Sequence, residues 1–551
     1  MSPRRVPLAF VVPWCLVVAG CSATAQSTAS GGDGGAPGTE PDGGLADARM
    51  PGVDTGNPGA EAGSPGEEAA AADSGGNAPA ATPNPPDTYV QLFKWRWKDI
   101  ARECTTFLGP NGFGAVQISP PQECIADNTW WNMYQPVNYQ NLVSDMGTAA
   151  DLAAMFSQCH AAGVRIYVDA VLNHASTGSG MGGGGSAYDE NTLTYPLFGP
   201  TDFHANCAIQ DSDYSSNRNN VVNCRLLGLP DLATDTDHVR TTIAAYLKSL
   251  IDMGADGFRL DAAKYMWPAD IQAFFANIPQ TTRFGEPVFV TQEITPDATA
   301  KPSDYYVVGT INEFNFTYAV RDAFRGVGGV GISQLPARVG TDTMPGALML
   351  DPSEHATVFV DNHDTERSRT DSLNMYDDGQ SFHLAMIYML GQPYGRAQLQ
   401  SGFIFSFTNT DMNAPTTSPY DANGGPQIMV AWDFVHRWPD VYPMVAFRSA
   451  TAGQPMSVVQ TGRNNSLAFN RGNVGFVALN NDTTPWQATL ATRLPAGTYC
   501  NIVHGLLAQG GSSCTSDSVT VDASGQATIT LGPVSSMPTA AVAIYTGQRV
   551  H

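Results

Sequence analysis

The sequence predicts an α/β protein, a (β/α)8 barrel with an inserted loop domain after strand 3 and a C-terminal antiparallel β-sandwich. Three observations point there. Apolar runs of four or five residues recur between amphipathic stretches at the spacing of repeated βα units. Four of those neighbourhoods, DAVLNH (169–174), GFRLDAAKY (257–265), VTQEI (290–294) and FVDNHDTER (359–367), start apolar and finish in acidic, basic or imidazole side chains. Parallel barrel strands read this way, because their bodies are buried while their C-terminal ends open onto one shared face. After about Thr451 the rhythm changes to short alternating segments, SLAFN, GFVALN, QATLAT, SVTVDA and QATITL, between Gly, Asn and Asp turns, as in a sandwich of roughly 100 residues.

Taken in chain order, residues 1–21 read as an export signal. Arg4 and Arg5 precede an apolar stretch too short to span a bilayer as a mature helix. The stretch ends in VAGC, which resembles the lipobox of bacterial lipoproteins and makes Cys21 the expected lipidation site. Acyl chains contribute about 0.8 kcal/mol per buried CH₂, so several together anchor stably. Residues 22–86 are Gly, Pro, Ala, Ser and Asp with almost no large apolar side chain, which cannot offset the entropy of ordering. This tether of about 65 residues would have an end-to-end distance of roughly 45 Å.

Barrel strands are expected at 90–93 (VQLF), 115–118 (AVQI), 165–168 (RIYV), 257–260 (GFRL), 288–291 (VFVT), 357–360 (TVFV) and 403–407 (FIFSF), with the sixth of the eight near 310–314. The barrel thus occupies 87–174 and 236–450. Residues 175–235, with MGGGGS, many Asn and Asp and two cysteines, break the rhythm and form the inserted loop domain. Residues 451–551 form the sandwich, which has no acid or histidine cluster and is read as structural.

The chemistry lies in the strand ends. Asp261, Glu293 and Asp364 bring three carboxylates to one face. Two acids whose pKa values are pushed apart can divide glycosidic cleavage, one attacking the anomeric carbon and one protonating the leaving oxygen. Arg259 lies two residues before Asp261, on the same side of the pleat, where it would keep that acid ionised. Glu293 follows Val290, Thr291 and Gln292 and is expected to be the more enclosed acid, with the raised pKa. Trp130, Trp131 and Tyr134 offer flat rings for the apolar faces of sugars, with Gln135 to bond hydroxyls; core packing accounts for at least one of the tryptophans.

These four segments resemble the signature regions of the α-amylase family, glycoside hydrolase family 13. The resemblance runs from about Tyr89 to the C-terminus and is strongest to the animal-type branch and its secreted bacterial relatives, through QLFKWRW, GFGAVQISPPQE, TWWNMYQPVNY, GVRIYVDAVLNH, NRGNVGFVALNND and LPAGTYC. It implies that Asp261 is the nucleophile, Glu293 the general acid and base, and Asp364 the transition-state stabiliser. It implies that His174 and His363 bond sugar hydroxyls and that Lys264 contacts glucose on the leaving-group side. A structural Ca²⁺ is implied too, held by side-chain oxygens of Asn173 and Asp231 and the carbonyls of Val222 and Tyr265, all hard ligands. Tyr265 stands where the family usually has histidine. Arg259 and Asn362 match two residues of the chloride site of the animal enzymes, but the third position falls on Gln398, an amide without charge, so chloride activation is not expected; Arg396, two residues away, is the substitute if the loop is shifted. Of the seven cysteines after Cys21, the resemblance pairs Cys104 with Cys159, Cys207 with Cys224 and Cys500 with Cys514, and leaves Cys124 as a buried thiol.

The expectation is an exported, calcium-dependent, endo-acting α-amylase acting on starch, glycogen or maltooligosaccharides as a monomer, located at the cell surface as a lipoprotein of a bacterial outer membrane. A maltooligosaccharide-forming amylase or a glucanotransferase would share the same acids. A non-catalytic starch-binding surface protein would have no need of three intact acids. The balance of 28 basic against 51 acidic residues, a formal charge of −23, argues against a nucleic-acid partner and against any membrane contact except through Cys21.

Overall fold

The computed structural model describes residues 87–338, 349–459 and 461–551. The signal segment, Cys21 and the tether lie outside them. Among the described residues, no helix is long and apolar enough to cross a membrane.

Eight parallel strands close into a barrel: β1 (Thr88–Leu92), β2 (Ala115–Ile118), β3 (Arg165–Val171), β4 (Gly257–Asp261), β5 (Phe289–Gln292), β6 (Thr310–Asn312), β7 (Ala356–Val358) and β8 (Arg396–Ser401). Their order around the barrel is sequential, with β8 pairing back onto β1. Val, Ile, Leu and Phe fill the strand bodies, and side chains such as Val90, Val116, Ile166, Phe258 and Leu399 are fully or almost fully buried. β4 opens with Gly257 because its neighbours press close. A Cβ there would meet the Phe289 carbonyl oxygen at 2.5 Å and the Tyr167 ring at 2.8 Å.

The first seven strands lie at or within two or three residues of their expected places, the sixth included. The eighth does not. It is RAQLQS at 396–401, not FIFSF at 403–407. Hydropathy misplaced it because β8 turns the amides of Gln398 and Gln400 into a buried interior, while the aromatic run beyond it packs side chains without joining the ladder. Phe403 and Phe405 are 6.2 Å from Trp432 and 4.9 Å from Tyr376, centroid to centroid.

The long excursion after β3 holds a hairpin, Ser179–Met181 with Ala187–Asp189, and two short helices at Asp213–Ser216 and Arg218–Asn223. Its glycine turn is held by Glu123, whose Oε1 accepts from the N–H groups of Gly184 and Ser186 at 2.9 and 2.8 Å. Disulfides join Cys104–Cys159, Cys207–Cys224 and Cys500–Cys514, the pairing the resemblance implied. Cys124 is a buried free thiol, pushed up to about 12 by burial.

In the C-terminal region β9 (Met456–Val459), β10 (Ser466–Arg471), β11 (Gly475–Asn480) and the last strand, β16 (Ala541–Tyr545), form one antiparallel sheet. β12 (Trp486–Ala491) pairs with β15 (Gln526–Leu531), and β13 (Gly497–Cys500) with β14 (Ser518–Val521). Phe476, Trp486, Leu490, Tyr499, Ile529 and Ile544 share the core between these layers.

Candidate active site

Strand register assembles the site. β3 pairs with β4 so that Asp169 lies beside Arg259 and Val171 beside Asp261. Arg259 and Asp261, two apart on one strand, face the same way. The result is one guanidinium among three acids. Arg259 donates from Nη1 to Asp169 Oδ1 at 2.8 Å and to Asp261 Oδ1 at 2.6 Å, and its Nη2 lies 3.1 Å from Glu293 Oε2. Just past β4, Ala262 adopts a left-handed backbone, φ 50°, a conformation costing roughly 1–2 kcal/mol for a residue with a Cβ. That turn aims its N–H at Glu293 Oε2, 2.8 Å away. Backbone strain at such a place is commonly tied to function.

The two principal acids differ in a way that reverses one expectation. Asp261 is the more enclosed, its side chain 12% exposed against 18% for Glu293. Burial pushes the Asp261 carboxyl well above the usual range, Arg259 pulls it down, and Glu293 and Asp169 push it up again. The reason is local. Asp261 is still within its strand, whereas Glu293 sits one residue beyond the end of β5, where the cleft begins. Asp364 follows β7 at the head of a short turn and is raised by burial against the pull of Arg259 and Arg367.

His363 is 2% exposed and lies between two rings, Phe93 at 4.8 Å and Tyr134 at 5.3 Å. Burial and the nearby Arg259 lower it to about 3, so it is neutral at ordinary pH. His174 is also buried, lowered to about 4 by desolvation. Its Nε2 lies 3.0 Å from the Tyr134 carbonyl oxygen.

The aromatic group divides. Trp130 is core: it is 4% exposed, with the Arg367 guanidinium 4.2 Å over its ring. Trp131 and Tyr134 are half-buried. Gln135 uses its Oε1 to accept from the N–H and hydroxyl of Thr177. Lys264 is no surface charge. It is 5% exposed, with Nζ 2.8 Å from Asp297 Oδ2 and 3.0 Å from Thr295 Oγ1.

Asp169, Asp297 and Phe93 carry no assigned role in the sequence reading. Asp169 opens the DAVLNH segment, and only the β3–β4 register reveals its pairing with Arg259.

For a cation, the relevant donors are Asn173 and Asp231, both almost fully buried. Asp231 Oδ2 bonds His204 Nδ1 at 2.6 Å, while Oδ1 is buried with no hydrogen-bond partner. Val222 lies in the last turn of a short helix, where carbonyls are left over from the helical ladder. One carboxylate, one amide and carbonyls are hard oxygens, which suits Ca²⁺. Among the described residues, no group of three or more His, Cys, Asp or Glu side chains is placed to hold a metal ion.

With this geometry in view, residues 108–395 match the family model for the α-amylase catalytic domain, and 458–544 that for the α-amylase C-terminal all-β domain. An α-amylase of Phaedon cochleariae is 38% identical over 486 residues, covering 84% of this chain and 94% of its own. The chain belongs to the α-amylase family. It is a glycoside hydrolase of that family, with a bacterial relative in the α-amylase of Streptomyces violaceus, 39% identical over 468 residues and covering 84% of this chain and 75% of its own. α-Amylase I of Eisenia fetida superposes with a TM-score of 0.75 at 31% identity, covering 84% of this chain and 97% of the other. A glutamate-to-glutamine variant of that enzyme, in complex with maltohexaose, gives the same figures.

Proposed function

We propose that this family member is an endo-acting α-amylase that cleaves internal α-1,4-glucosidic bonds of starch, glycogen and maltooligosaccharides with retention at the anomeric carbon. One observation carries the reading. A single guanidinium holds Asp261 and Glu293 on neighbouring nitrogens, which fits the closely spaced carboxyls, about 5 Å apart, of retaining enzymes and not the 6.5–9.5 Å that leaves room for a water in inverting ones.

In the first step an Asp261 carboxylate oxygen bonds to the anomeric carbon while the glycosidic C–O bond breaks and Glu293 gives its proton to the leaving oxygen. In the second, Glu293 takes a proton from water, the hydroxyl adds to the anomeric carbon and the Asp261 ester bond breaks. Asp364, beside the reacting ring, favours the positive charge of the transition state. His174, His363 and the Gln135 amide address sugar hydroxyls, Trp131 and Tyr134 lie against sugar faces, and Lys264 serves the leaving-group side. Asn173, Asp231 and the carbonyls of Val222 and Tyr265 would hold a Ca²⁺ ion, which would supply a structural link between the inserted loop and the barrel.

The enzyme acts as a monomer. Export through residues 1–21 and anchoring through Cys21 complete the proposal; metabolic labelling with a fatty-acid analogue, compared with Cys21→Ser, tests the anchor. For the activity, the test is a time course of product lengths on soluble starch. Early production of mixed, mid-length maltooligosaccharides with a rapid fall in viscosity supports an endo-amylase. A single product length from the outset, or chain redistribution without new reducing ends, supports the maltooligosaccharide-forming or glucanotransferase alternatives.

A further inference from the structure

A chain of buried hydrogen bonds crosses the barrel beneath the acids. It runs from the Tyr89 hydroxyl to Gln398 Oε1 (2.8 Å), from Gln398 Nε2 to Gln91 Oε1 (3.4 Å) and from Gln91 Nε2 to His363 Nδ1 (3.2 Å). It continues between His363 Nε2 and the Tyr134 oxygen (2.8 Å) and ends at Asp169 Oδ2, which accepts the Tyr134 hydroxyl at 2.7 Å. Gln91, Gln398 and His363 are each 3% exposed or less, so no water competes for their polar atoms.

The donors sort themselves from one end. As the partner of Arg259, Asp169 is a carboxylate and only accepts. Tyr134 has one hydroxyl proton, which goes to Asp169, so its oxygen accepts from His363 and the imidazole proton must be on Nε2. Nδ1 is then an acceptor, and Gln91 must present its NH₂ to it. The Gln91 carbonyl oxygen in turn needs a donor, which Gln398 supplies through its own NH₂, and the remaining Gln398 oxygen takes the Tyr89 hydroxyl. Each amide has one orientation that satisfies both neighbours. Asp364 Oδ2, 3.4 Å from His363 Nε2, favours a proton on the same nitrogen.

We propose that Gln91 and Gln398 are positioning residues that fix His363 as its Nε2–H tautomer, with the donor held on the Tyr134 oxygen beside Asp364, where a bound sugar competes for it. The sugar-binding part rests on the function proposed above; the tautomer does not. Gln398 acts at second hand, since its amide orients Gln91 and Gln91 orients the ring. Were the amides inert packing, either glutamine could be reversed without consequence for the ring.

The test reads the ring directly. In protein labelled with ¹⁵N-histidine, His363, assigned by its loss in His363→Gln, should show a pyrrole-like Nε2 and a pyridine-like Nδ1. In Gln91→Glu a carboxylate faces Nδ1 and should draw a proton onto it. Gln398→Glu never touches the ring, yet it removes the donor to Gln91 Oε1, turns the Gln91 amide over and should protonate Nδ1 in the same way. Each variant should lose about tenfold in kcat/KM, the scale of one misdirected buried hydrogen bond. The uncharged Gln398→Leu, which tolerates either amide orientation, should show both tautomers. A wild-type ring protonated on Nδ1, or a Gln398→Glu or Gln398→Leu protein with the wild-type pattern, overturns the proposal. Failure of starch hydrolysis would instead strike the proposed function and leave the tautomer result standing.

Discussion

Replacing Arg259 with methionine removes the one cation shared by Asp169, Asp261 and Glu293 while keeping a side chain that packs. Removing one partner of a buried pair typically costs 3–5 kcal/mol, because a charge is left without compensation. Three acids depend on this guanidinium, at 2.8, 2.6 and 3.1 Å, so the upper part of that range, about 5 kcal/mol, is expected at pH 7. The loss should depend on pH, with a definite sign. Burial already holds Asp261 above the usual carboxylate range in spite of Arg259, and without the arginine the folded-state Asp261 rises further. Below the unfolded carboxylate value, about 3.9, Asp261 is protonated in folded and unfolded chains alike and the penalty fades; as pH rises it grows, because only the unfolded chain ionises freely. Differential scanning calorimetry of wild type and Arg259→Met from pH 5 to 8 should show Tm values that converge towards the acid end. In kcat/KM the acid limb should move to higher pH, since Asp261 must be ionised to attack, and the maximum should fall about 10²-fold from lost orientation. A Tm difference under 1 °C, or one independent of pH, would refute the shared-cation account.

Chelation should lower Tm and activity together, since an ion bound only by the folded chain stabilises it by about 2.7 kcal/mol at a hundred times its Kd; an unchanged Tm in excess EGTA, with metal analysis confirming removal, counts against a calcium bridge. Glu293→Gln should fold normally and lose about 10³-fold or more in kcat, because an amide cannot protonate the leaving oxygen; retention of a tenth of wild-type turnover removes Glu293 from that role. Chloride added back at constant ionic strength should not raise turnover, because Gln398 bonds Tyr89 and Gln91 and brings no charge to hold an anion; a saturable several-fold rise contradicts this.

Much of the architecture is legible in the chain because barrel strands are buried on both faces and read as continuous apolar runs. β3 and β4 announce themselves this way, and their charged ends mark Asp261 on the functional face. β8 breaks the rule: Gln398 and Gln400 are buried polar side chains, and an alternating RAQLQS looks like a surface beside the aromatic FIFSF. The acids are legible because they end strands, but their relative enclosure is not. Whether Asp261 or Glu293 is more buried depends on how far each lies past its strand, a matter of one residue. Pairings across the fold, such as Asp169 with Arg259 or Lys264 with Asp297, depend on register and loop closure, which local patterning does not encode. Trp130 and Trp131 are neighbours of one residue type, and only packing separates the buried ring under Arg367 from its half-buried neighbour.

The most direct measurement of the central claim is the anomeric configuration of the first product. Proton NMR of maltohexaose hydrolysis, recorded within the first minutes and before mutarotation equilibrates the reducing ends, distinguishes one displacement from two. If Asp261 attacks and Glu293 then activates water in its place, the new reducing end appears first as the α anomer, and the β anomer grows in only at the rate of mutarotation. A β anomer appearing first would mean that water attacks directly across a wider pair of carboxyls, and would contradict the assignment of Asp261 as the nucleophile.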